Sequence, residues 1–151
     1  MEKNIWLFLL ISNVLYAFSF KLRARTSITE QPELIEGYEK IFKGYLFFGS
    51  LPWILMGAGI LSGSVHGFFD YFRPWKGNPF VLAFHAVIIS FYILAVIWIY
   101  FRSGAEFLVT HPGFFTLNIK SQTGIKIMTA ISLAGGVVAT YLMWFIQAPN
   151  R

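Results

Sequence analysis

Apolar residues in this chain gather into four blocks, and the charged residues collect between them. The blocks cover approximately 4–20, 45–68, 80–102 and 127–146. The two central runs are each about 22 residues long, enough to cross the roughly 30 Å hydrocarbon core of a bilayer as helices. The helices of a soluble bundle would instead mix apolar and polar residues at helical spacing. The pattern therefore predicts an all-α integral membrane protein. Its architecture is a four-transmembrane-helix bundle in a single membrane domain spanning 1–151.

The connections carry their own signals. Thr26 to Pro32 is polar and reads as a turn. From Glu33 to Tyr45, apolar residues at Leu34, Ile35, Tyr38, Ile41, Phe42 and Tyr45 share one helix face. Glu36 with Lys40 and Glu39 with Lys43 supply supportive i,i+4 pairs on the other face. This predicts an amphipathic surface helix before the second span, or an extension of that span into water. Pro52 removes one backbone donor inside the second span and predicts a kink.

The central turn is well specified. Asn78 suits a helix N-cap and Pro79 the first helical position of the third span. Tyr71 and Trp75 suit a membrane interface. The third helix is expected to run on through Arg102–Glu106 until Pro112-Gly113 stops it.

Composition supports the membrane reading. Hydrophobic residues make up 56% and charged residues 13%, about half the charge of a usual soluble protein, too little to build a water-facing surface. The chain has no cysteine, which excludes disulfides and thiolate metal sites. Its net charge of +5 does not point to nucleic acid, because the basic residues flank hydrophobic spans, where they mark anionic headgroups.

Charge also predicts orientation. The first and third connections hold eight Lys and Arg (21, 23, 25, 40, 43, 102, 120, 126), against four (3, 73, 76, 151) elsewhere. The positive-inside rule puts those two connections in the cytoplasm, with both termini and the 73–79 turn outside. The first block reads as a retained helix rather than a signal peptide, since its basic cluster follows the apolar run. The size and compactness suggest a bacterial inner (cytoplasmic) membrane.

Two kinds of candidate residue stand out. Gly59, Gly63 and Gly67 give overlapping GxxxG spacings, and Gly135 and Gly136 lie in a second small-residue stripe; such faces let helix backbones approach closely in lipid. His66 and His85 are equidistant from the middle of the turn, which predicts similar depths in the outer half of the membrane. Intramembrane ionisable groups are default functional candidates. Neutral imidazoles could bind haem, a chlorophyll-type pigment or a metal ion. Helices packed through glycine sit too close to hold a porphyrin between them, which leaves single ligation.

His111, beside Pro112-Gly113, reads as an accessible loop residue, and Asn13 as an interhelical hydrogen-bond donor. No phosphate loop, nucleophile elbow or HExxH pattern is present, so no enzyme is indicated. The leading expectation is a structural or accessory subunit, or scaffold, packing through glycine-rich faces. Its partners would be the lipid bilayer and either further copies of itself or a larger membrane complex. The alternatives are a tetrapyrrole- or metal-binding membrane protein and a small oligomeric ion channel or transporter.

Overall fold

The computed structural model describes residues 2–115 and 119–145. They form five α-helices: α1 (Ile5–Glu30), α2 (Ile35–Leu61), α3 (Pro79–Val96), α4 (Gly104–Thr110) and α5 (Gln122–Phe145), with no strand among the described residues. A π-helical turn, Ile97–Phe101, continues α3. Four helical stretches, Glu2–Glu30, Pro32–Leu61, Pro79–Phe101 and Gln122–Phe145, are long and apolar enough to cross a membrane. The expected last residue of the fourth span, Ile146, and the tail 147–151 lie outside the described residues.

The first helix is longer than expected. α1 continues past Phe20 through Lys21–Glu30, because Lys, Leu, Arg and Ala are all good helix formers and charge alone does not stop a helix. Its 26 residues span about 39 Å, more than a bilayer core of about 30 Å. The turn is confined to Gln31 and the 3-10 turn Pro32–Leu34.

The separate amphipathic surface helix is not observed. Residues 35–61 form one helix that continues through the buried Pro52. Tyr38 and Ile41 are buried in a core cluster with Phe20 and Ala24 of α1, so the apolar face of this segment meets protein. Of the two expected ion pairs, Lys43–Glu39 forms at 2.8 Å; Glu36–Lys40 does not.

The second span ends earlier than 68. Leu61 is the last helical residue, and Gly63 adopts a left-handed conformation at φ 74°. The Gly63 amide donates to the Ile60 carbonyl and the Val65 amide to the Gly59 carbonyl, a glycine-terminated helix end. Gly63 and Gly67 are therefore off the helix, and the predicted 59/63/67 stripe does not exist as a face. Gly63 has nothing within 4 Å of where a Cβ would lie, and Gly67 is extended and sits against Glu2.

α3 starts as expected. Asn78 Oδ1 accepts from the amides of Phe80 (3.0 Å) and Val81 (3.4 Å), and Pro79 is the first helical residue. Its far end departs from the expectation of a continuous helix to Pro112. After the π-helical turn the chain breaks at Ser103, which takes φ 56°, and α4 folds back before His111.

α1 and α2 form the most extensive pair, antiparallel along their length. Asn13 Nδ2 donates to Ser50 Oγ at 3.0 Å in the middle of the interface, and both are buried. Gly49 makes room for Asn13 and Gly57 for the Trp6 ring. Two apolar clusters lie at opposite ends of the bundle. One joins Met56, Val65, Tyr71, Val81 and Phe84. The other joins the end of α1 and the start of α2 to Ile99, Ala105, Leu108 and Ile125. α5 is the least covered helix; of its described residues only Ile125 is buried.

Candidate functional site

The N-cap at Asn78 sets α3 so that His85 lies two turns inside it, and the ring is 1% exposed. Its Nε2 lies 2.9 Å from the backbone carbonyl of Tyr71, and the Trp144 indole Nε1–H donates to Nδ1 at 3.3 Å. An indole only donates, so Nδ1 accepts and Nε2 carries the proton, donating to the carbonyl. Both ring nitrogens of a neutral imidazole are thus engaged. Any haem, pigment or metal bound through His85 would have to displace one of these two partners.

The network extends one step further. The Tyr71 hydroxyl donates to the Met56 carbonyl at 3.1 Å and reaches that of Leu55 at 3.4 Å. Gly59 permits this, because a Cβ there would collide with the Tyr71 hydroxyl and the Phe80 side chain. Burial, reinforced by the neighbouring Asp70 carboxylate, pushes the Tyr71 phenol up to about 12, so it remains a donor at neutral pH. Trp144, His85 and Tyr71 therefore tie α5, α3 and α2 together at one end of the bundle.

His66 is placed differently from the expectation. With α2 finished at Leu61, it lies in the following loop with a side chain 94% exposed, so it cannot share a helix face with Gly59. Its amide donates to Asp70 Oδ2 at 3.0 Å and its Nδ1 lies 3.8 Å from the same oxygen. His66, Asp70, Arg73 and Lys76 border an open hollow of about 310 Å³. The two histidines share no hydrogen-bond partner: His66 pairs with Asp70, and His85 with Tyr71 and Trp144. Among the described residues no three His, Asp or Glu side chains converge on a metal position.

At the opposite end, His111 corrects the expectation of an accessible loop residue. It is 6% exposed, stacked on Phe107 at 4.2 Å and edge-on to Tyr38 at 5.1 Å. Its Nδ1 lies 2.8 Å from the Phe107 carbonyl and 3.0 Å from Thr110 Oγ1. The ring fills the notch left by the missing side chain of Gly37. The next three carbonyls are held in turn: Tyr38 donates to Pro112 (3.0 Å), Arg23 to Gly113 (3.1 Å) and Tyr16 to Phe114 (2.6 Å). Gly113, at φ 98°, gives the backbone the turn this requires.

The fourth-span glycines divide. Gly136 lies against the Tyr92 ring, whose hydroxyl is 3.3 Å from Thr140 Oγ1, and so packs α5 on α3. Gly135 has nothing within 4 Å of where a Cβ would lie. Packing glycines absent from the predicted set include Gly37, Gly49 and Gly57. The signal for two of them was available, since Gly49 and Gly57 are eight residues apart and share a face of α2. Comparison with protein-family profiles, curated proteins and solved structures finds no match for this chain.

Proposed function

We propose that this protein is a small integral membrane subunit or scaffold that associates with another transmembrane helix through α5. The observation that carries the reading is the uncovered state of α5, in which only Ile125 is buried and Gly135 packs against nothing. Lipid solvates Ile131, Val138 and Leu142 well. Ala134, Gly135 and Ala139 gain little from lipid, and a helix bearing them offers a second helix close backbone contact. The bundle sits with the 21–43 and 102–126 segments in the cytoplasm, by the excess of Lys and Arg there.

Gly135→Leu tests this directly. A side chain there meets nothing in the bundle, so the variant is expected to fold as the parent does. Purified in mild detergent, the parent is expected to run as an oligomer or with fixed partner subunits, and Gly135→Leu as a lone monomer. A parent that is itself a stable lone monomer, or association unchanged by Gly135→Leu, would overturn the proposal.

A further inference from the structure

A lateral groove of about 550 Å³ opens between α2 and the end of α3, beside α4. That is within the range of roughly 300–1,000 Å³ typical of small-molecule sites. Two features of the backbone create it. Gly44 leaves the groove floor without a side chain, and nothing lies within 4 Å of where its Cβ would be. The π-helical turn re-aims Trp98 into the wall, where Gly104 packs directly on the Trp98 carbonyl and ring. Such turns recur at functional positions in helices.

The lining is apolar, with Phe48, Trp98, Phe107 and Leu108 among its walls and a single cation, Lys40, at one end. Phe48 and Trp98 are partly exposed, so the groove is open at the side rather than sealed. Lys40 makes no ion pair among the described residues, whereas Lys43 is neutralised by Glu39 at 2.8 Å. From Lys40 to Phe48 is eight residues, about 12 Å of helix. One leaflet of a bilayer core is about 15 Å deep. The groove thus spans nearly one leaflet, with its charge at the end assigned to the cytoplasm.

We propose that this groove holds one acyl chain of an anionic phospholipid of the cytoplasmic leaflet, with Lys40 on its phosphate. The proposal rests on the membrane placement given above and goes beyond the subunit role. A zwitterionic lipid supplies the same chain without net charge to match Lys40. A free fatty acid carries a carboxylate in place of the phosphate.

Trp98 provides the readout. The protein is reconstituted in phosphatidylcholine vesicles with a small fraction of phosphatidylglycerol brominated in mid-chain, which quenches tryptophan on contact. Quenching is expected at low brominated phosphatidylglycerol, and its saturable part is expected to vanish in Trp98→Phe. Gly44→Leu fills the groove and is expected to abolish that part. Lys40→Gln, an exposed change that leaves the fold alone, is expected to weaken it about fivefold, the worth of one lysine at an anionic surface.

Equal quenching by brominated phosphatidylcholine at the same fraction would overturn the proposal, as would quenching unaffected by Gly44→Leu and Lys40→Gln. Stronger quenching by a brominated free fatty acid would overturn the phospholipid as occupant. Release of the protein from vesicles by alkaline carbonate would overturn the membrane placement and this proposal together. Retention with unselective quenching would overturn the groove assignment alone.

Discussion

The indole of Trp144 donates to Nδ1 of His85 at 3.3 Å, joining the far end of α5 to the first turns of α3. This bond fixes which imidazole nitrogen is protonated and thereby lets His85 donate to the Tyr71 carbonyl. Trp144→Phe removes the donor and keeps most of the ring. It is expected to cost about 0.5–1.5 kcal/mol, the net worth of one hydrogen bond. His85→Ala should cost more, about 1–3 kcal/mol, since a buried carbonyl loses its donor. Thermal unfolding in detergent should rank the parent above Trp144→Phe and Trp144→Phe above His85→Ala.

Two glycines of α2 should respond oppositely to alanine. Gly44→Ala adds a methyl group in open space and reduces backbone freedom, so it should stabilise by about 0.5–1 kcal/mol. At Gly49 the new Cβ would lie 2.6 Å from Asn13 Oδ1, whose amide is bonded to Ser50. Gly49→Ala should destabilise by about 1–3 kcal/mol through overpacking. Equal unfolding temperatures for the two variants would show that Gly49 does not set the α1–α2 spacing.

Tyr71 should be visible in an alkaline titration. Burial and the Asp70 carboxylate oppose the phenolate and push its pKa up to about 12, from the ordinary phenol value of 10.0. A raised folded pKa means its contribution to stability is complete below about pH 10 and fades as pH rises towards 12. Ultraviolet titration should show a late ionisation that Tyr71→Phe removes, together with the stability loss in that window. A Tyr71→Phe profile that superimposes on the parent would contradict this assignment.

The absence of cysteine makes orientation easy to measure. Lys76→Cys, in the turn before α3, should react with a membrane-impermeant maleimide on intact cells. Lys120→Cys, exposed just before α5, should react only after permeabilisation. The reverse pattern would invert the topology.

The four long apolar helices, the Asn78 cap and the Asn13 hydrogen bond between helices were all readable from the residues, because block length and capping chemistry are local properties. The end of α2 was not. Gly63 has the spacing of a packing glycine and the chemistry of a helix stop, and only the backbone turn at φ 74° distinguishes them. That one ambiguity moved His66 from a membrane face to an exposed loop. His111 was misread for another reason. Its seat is the notch at Gly37, 74 residues earlier in the chain, and no local pattern announces a fit at that distance. The π-helical turn beside Trp98 was likewise silent, since an extra residue in a turn leaves no trace in an apolar run.

The three carbonyls of Pro112, Gly113 and Phe114 take their donors from Tyr38, Arg23 and Tyr16. All three donors belong to the first helical pair, which is complete before the carbonyls are synthesised. The later segment is thus held against a surface that the first helical pair supplies. Two fragments parted in the loop after α2 would carry the three donors on one chain and the three carbonyls on the other.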